Sequence, residues 1–395
     1  MKRLIMALII LFILSYSPIA AEETDTVWSN KSWTVTFNTA MDFSNLNEAI
    51  YVWDKDRNKV PVQLQASSDN KFVEVVGMTP WTFKPGQTYT IYITPALSSI
   101  EGTPMKETFT KTFTVNEQAD QELQVNDLIV TESNKSDVTA DFGEPVEVAH
   151  LSDEYRWEVY HDQFEDFIMV LYNGANIVHG YYTNQDIFEL SGKFRLNASF
   201  DSLEKTYKER AYMIKDDDGR PEKFIMGRED VTLYLFLDVF RNSKLTSTLI
   251  MSRKAEEMYY NRTNTLEEVS DMQIYQITNA IRVRYGLNPL KRDVKIDEVA
   301  YRHSVDMADN EYFAHVNLQG QGILDRLNDA NLSYRSSGEN IAAGYATGIE
   351  AMEGWMNSAG HRKNLLAEHD LIGVGVRVDK DSPYGIYYTQ DFASE

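Results

Sequence analysis

The chain has 395 residues, room for about two to four domains with cores of their own at ~100–200 residues each. Its 38 basic against 60 acidic residues give a net charge of −22, which argues against a nucleic-acid partner or an anionic membrane surface, since both need basic patches. Cysteine is absent, excluding disulfides, thiolate zinc sites, a thiol nucleophile and a lipid-modified Cys anchor; 43% apolar and 12% aromatic residues exclude wholesale disorder.

Residues 1–21 read as a signal peptide. Lys2 and Arg3 precede an apolar run from Leu4 to Leu14, followed by Ser15, Pro18 and the small pair Ala20–Ala21, with cleavage expected after one of the two. The run is about half of the ~20 residues that cross a bilayer; a single transmembrane anchor is the alternative. Nothing later in the chain is apolar enough to span a membrane. Export without cysteine fits a bacterial secretory route, so the expectation is a secreted, extracellular protein that can associate with the cell envelope.

Residues 22–117 alternate with period two: Trp33, Val35 and Phe37 share a face, and short strand-like runs (Ile50–Trp53, Val60–Leu64, Phe72–Val76, Tyr89–Ile93) are separated by polar turns. This pattern predicts a β-sandwich. The Val35 to Asp42 segment, the Lys84-Pro85-Gly86 turn and the closing Phe113-Thr114-Val115 resemble the Ig-like module of bacterial S-layer and other surface proteins. That resemblance implies a spacer or attachment role. Asp54 to Asn58 is not a calcium loop, because Lys59 stands where Gly is needed and Gln65 where Glu is needed; Asp216-Asp217-Asp218-Gly219 fails the same test. Both read as turns.

Residues 118–137 are polar and read as a linker. Residues 138–255 follow as an α+β region, with Tyr155 to Tyr160, Ile168 to Tyr172 and Ile177 to Tyr182 as aromatic-rich strands around an Asn173-Gly174 hairpin turn. The Gly143-Glu144-Pro145 opening and these strands resemble the domain often found upstream of the CAP domain in bacterial proteins; no role comes with it. His150, His161 and His179 are scattered without ligand spacing. Residues 256–269 read as a second linker.

Residues 270–395 switch to helical period. Ile274, Ile277, Ile281 and Tyr285 form one stripe, capped by Ser270 or Asp271 and stopped by Gly286 and Pro289. A second helix starts near Asp297, a third near Gly348, and two strands close the chain, Ile372 to Val378 and Tyr384 to Phe392. Helices first and an antiparallel pair last predict an α+β fold with the sheet between helices.

Four of the seven histidines lie here, at 303, 315, 361 and 369. The order His303-Ser304, Phe313-Ala314-His315, Gly338-Glu339-Asn340-Ile341, Trp355-Met356-Asn357-Ser358-Ala359-Gly360-His361-Arg362, Ile372-Gly373-Val374-Gly375 and Thr389-Gln390-Asp391-Phe392 resembles a bacterial, cysteine-free CAP domain (cysteine-rich secretory, antigen 5, pathogenesis-related) over about Met272 to Phe392. The resemblance implies an α-β-α sandwich and a cleft with two histidines and two acids. His315, Glu339 and His361 match three of the four. The second acid would fall at Asn357 or Ser358, and neither is acidic. Two imidazoles and a carboxylate suit zinc or another divalent cation, so His315 and His361 are candidate metal ligands and Glu339 a candidate general base, with Asn357 in the ligand cleft. Each residue also has a structural alternative: His303 as a hydrogen-bonded core histidine, Glu339 as an acceptor of backbone N–H groups, His361 at a helix C-terminus, Trp355 as core, and His369 in an exposed loop.

Three functions compete. The family resemblance favours a non-catalytic module that binds a lipid, glycan or protein in the cleft. A metal-assisted or Glu339-dependent hydrolase acting on peptides or cell wall is the second, and a structural envelope protein with a vestigial site the third. Whether the chain is an enzyme stays open at this level.

Overall fold

The computed structural model describes residues 25–27, 31–78, 82–84, 86–115, 128–188, 194–208, 211–228 and 231–394. The leader at 1–21 with its cleavage site, Pro85 of the expected turn and the first half of the first linker fall outside them. The chain forms two compact units.

The first is a β-sandwich. One sheet orders Asp25–Val27, Phe109–Val115, Thr88–Ile93, Ile50–Asp54 and Lys59–Val60; a second orders Trp33–Thr36, Phe72–Gly77 and Val62–Ala66. Alternate residues point inward, as the period-two pattern requires, and Trp33, Phe83, Tyr89 and Phe113 pack ring on ring at 5.1–5.6 Å. Asp54 accepts the backbone N–H groups of Asp56 and Asn58 at 2.9 and 2.8 Å, which makes that segment a side-chain-stabilised turn.

Two sheets lie wholly or mostly in the second unit. An eight-stranded one begins with Glu147–His150, Tyr155–Asp162, Glu165–Asn173, Val178–Thr183 and Lys244–Ser252, in that order, each antiparallel to the next. Asn173 accepts the N–H groups of Ala175 and Ile177 at 3.0 and 2.9 Å, closing the hairpin at the expected Asn-Gly. The other sheet has four strands, ordered Lys291–Arg292, Leu371–Val378, Ile386–Ser394 and Ser336–Ala343.

The long helix Thr265–Arg284 and the helix Gly348–Met356 cover one face of the four-stranded sheet; Val294–Asp309 and Ile323–Asp329 cover the other. The sandwich is therefore α-β-α. Gly373 and Gly375 explain how Val294–Asp309 lies so close: a Cβ on either would sit 2.0–2.5 Å from atoms of Ile296, Asp297, Ala300 and Tyr301, so only glycine fits.

The long helix starts at Thr265, not at Ser270. Asn264 precedes its first turn, Ser270 is buried, and Asp271 is ion-paired with Arg292. With the helix Arg253–Tyr260 before it, the expected linker at 256–269 is largely helical. Three of its apolar residues, Tyr259, Leu266 and Val269, are fully buried, and tertiary packing outweighs the polar look of the segment.

Candidate functional site

Glu339 lies on the edge strand Ser336–Ala343 and is 7% exposed. Three elements converge on it. Val294–Asp309 ends and the chain turns through Tyr312 and Ala314 to His315; buried His303, on that helix, donates from Nε2 to the Ala314 carbonyl at 3.0 Å and so fixes the residue before His315. His315, about half exposed, donates from Nδ1 to Glu339 Oε1 at 2.8 Å. Arg326, on Ile323–Asp329, donates one Nη to Glu339 Oε2 and the other to the His315 and Gln321 carbonyls at 3.0 and 3.1 Å. One guanidinium thus clamps both the acid and the loop that carries the imidazole.

His361 arrives on the helix Ala359–Leu365, pinned to the same strand: Asn364 donates to the Glu339 carbonyl at 2.9 Å and to Asn340 Oδ1 at 3.0 Å, and Asn340 donates to the His361 carbonyl at 3.3 Å. His361 is the third residue of that helix, so the expected C-terminal position is corrected to an N-terminal one, where the dipole opposes a charged imidazole. Burial lowers its pKa further, and the nearby charge of His315 adds to this. His361 is a neutral donor–acceptor at neutral pH. Burial weighs against the Glu339 charge, but the His315 hydrogen bond and the Arg326 charge outweigh it and hold the carboxyl below its ordinary range. Its acceptors are filled by side chains, not by backbone N–H groups.

Asn357 is not in the cleft. Its amide donates to the Leu237 carbonyl at 2.8 Å and accepts the Val239 N–H at 3.1 Å, stitching the end of Gly348–Met356 to the eight-stranded sheet. Arg362 reinforces the seam with a bidentate pair to Asp238, both contacts 2.9 Å. Asn357 and Arg362 of the Trp355 to Arg362 motif therefore dock one sheet's helices on the other sheet, and Trp355 is core, donating to the Ile341 carbonyl at 3.0 Å. His369 is half-buried, stacked on Phe392 at 5.2 Å, not loose in a loop. Ser304 is buried and bonded to Thr389 and the Gly375 carbonyl at 2.8 Å, so it is no nucleophile.

A metal fits this site poorly. Among the described residues no group of three or more His, Asp or Glu side chains is arranged to hold one. Glu339 spends one oxygen on His315 and the other on Arg326, and the guanidinium already supplies the positive charge a cation would bring. Sequence reasoning missed Arg326, which no motif spacing marks, and Asp391, which lay inside the Thr389 to Phe392 run without an assigned role.

Comparison with known proteins fits this geometry. Three family models match in succession: a bacterial Ig-like domain at 12–115, a CAP-associated N-terminal domain at 132–260 and the cysteine-rich secretory protein (CAP) family at 275–392. This chain belongs to the CAP family. It is 30% identical over 285 residues, 80% of the other protein's length, to the uncharacterized membrane protein YlbC of Bacillus subtilis. Among solved structures, an extracellular SCP-domain protein of Bacillus anthracis superposes with TM-score 0.58 at 26% identity, covering 70% of this chain and 97% of that one. A cysteine-rich secretory protein of Staphylococcus aureus shares the fold at 18% identity with TM-score 0.53, covering 71% and 98% of the two chains. Among the described residues no helix is long and apolar enough to cross a membrane.

Proposed function

We propose that the protein is exported and that its CAP domain binds a glycan in the cleft edged by His315 and His361, without catalysis; the Ig-like domain acts as spacer. One observation carries the reading. Both oxygens of Glu339 are engaged inside the protein, so the acid orients His315 instead of acting on a ligand, and the exposed polar groups are set up to hold. Hydroxyl-rich ligands suit the surroundings better than lipid. Arg326 also borders a hollow of about 250 Å³ walled by Arg302, Asp306, Asn317, Gln321 and Asp329, a set of amides and charges that matches sugar hydroxyls.

Calorimetric titration with soluble peptidoglycan disaccharide-peptides tests this. Saturable binding weakened about tenfold or more by His315→Ala combined with His361→Ala supports it, since two lost hydrogen bonds amount to about 2 kcal/mol. Affinity indifferent to both substitutions, or binding only to lipid vesicles, sinks it. The hydrolytic reading keeps one supporting observation: a carboxylate bonded to Nδ1 leaves His315 Nε2 free to accept a proton from water. Release of reducing ends from the same fragments, lost in Glu339→Gln, would replace binding by hydrolysis.

A further inference from the structure

The strand Ile386–Ser394 places Asp391 directly opposite Glu339, and opposed residues of an antiparallel pair project to the same face. Asp391 is fully buried, and neither of its carboxyl oxygens meets an N–H or O–H donor among the described residues. On its other flank stands Gly373, whose vacant side-chain position is closed by the backbone of Ile296 and Asp297, so no cation reaches the acid from that side. The side chain that the strand register sets beside it is that of Glu339. Two carboxylates offer each other no donor unless one of them is protonated, and an ionised, unpartnered carboxylate in such a place is too costly to persist.

We propose that Asp391 is the second acid of the cleft, a neutral carboxylic acid that donates its O–H to Glu339. The site then holds two imidazoles and two carboxyls after all, with the missing acid supplied by the last strand instead of the Trp355 to Ser358 segment. The division of labour follows from the donors available. Glu339 has His315 and Arg326 and stays ionised; Asp391 has none and keeps the proton. Burial and the Glu339 charge both push the Asp391 carboxyl well above its usual range, against the opposing pull of Arg326. The groups facing the pair are Arg326 from Ile323–Asp329, His315 from the loop, and His303 from Val294–Asp309, which burial keeps neutral. With Asp391 neutral, the Glu339 charge is matched by Arg326 alone, and three donors fix the carboxylate that aims His315. Asp391 touches no ligand and is a positioning residue.

The inference rests on the cleft reading above, but its first test is independent of any ligand. In the full-length protein carrying ¹³C at the aspartate carboxyls, the Asp391 resonance is assigned by its loss in Asp391→Asn and followed from about pH 5 to pH 9. It should keep the position of a protonated acid through neutrality while the exposed aspartates show ionised shifts; an ionised Asp391 at pH 7 overturns the proposal. In the second test Asp391→Asn, uncharged and able to donate N–H, should hold disaccharide-peptide affinity within about twofold. Asp391→Leu, of similar size without a donor, should lose about tenfold. Equal affinity in the two variants overturns the positioning role. Fragments that fail to bind the unaltered protein dispose of the proposed ligand, and the carboxyl resonance still decides Asp391.

Discussion

Two buried carboxyl clusters in this molecule are built on opposite principles. In the eight-stranded sheet Glu158, 1% exposed, receives Lys135 Nζ at 3.0 Å, Arg156 Nε at 2.7 Å and Tyr160 O–H at 2.6 Å. Burial raises its pKa, but these donors outweigh burial and leave it lowered. In the four-stranded sheet Asp391 is as deeply buried and has no donor among the described residues. The first cluster is complete, so its carboxylate is a structural fastener. The second is short of a donor, and the shortage is made good by a retained proton beside the cleft. Buried acids are informative where the hydrogen-bond count fails to close.

The largest effect is expected where the count is full. Glu158→Gln leaves Lys135 and Arg156 facing a neutral amide, and uncompensated cations at the edge of a core cost about 3 kcal/mol or more. The midpoint of the urea transition reporting the eight-stranded sheet should drop accordingly. A shift as small as that of a surface substitution would mean that Lys135 and Arg156, each partly exposed, relax into water, and the contrast between the clusters would weaken.

A neutral group with a closed count should behave the same way on a smaller scale. Asn357 makes one bond to Leu237 and one to Val239, so Asn357→Ala should cost about 2 kcal/mol at ~1 kcal/mol for each lost bond. Disaccharide-peptide affinity should not change, because the amide faces the seam between the sheets and not the cleft. A variant that keeps its stability and loses affinity would return Asn357 to the cleft, where the motif placed it.

That case shows what sequence could and could not reveal. The CAP sandwich was legible because its signals are local: helical stripes, alternating strands, and motif residues close together in the chain. His315, Glu339 and His361 were legible as residues of interest for the same reason. The roles of Asn357 and Asp391 were not, since the first depends on a strand about 120 positions earlier and the second on a register between strands about 50 positions apart. Arg326 was silent because a helical arginine usually faces water, and only packing turns this one inward to leave 9% of its side chain exposed. The long helix begins five residues before Ser270 for a related reason: Ser270 resembles a cap but is buried against Gly348 and Tyr388.

The effect that is smallest per pH unit breaks the comparison most directly, because the two acids should move in opposite directions. Glu158 has a folded pKa below its unfolded value of ~4.3. Its contribution is present above that value and is lost as pH falls through the folded pKa. Asp391 has a folded pKa above its unfolded ~3.9, so its contribution is full below that value and is lost as pH rises toward the folded pKa. One proton changes stability by at most about 1.4 kcal/mol per pH unit. Asp391→Asn should therefore flatten the decline in stability of the four-stranded sheet between about pH 4 and neutrality and leave the acid limb set by Glu158 unchanged. If the decline persists in the variant, Asp391 does not hold the proton, and the second cluster must be closed by a donor from elsewhere.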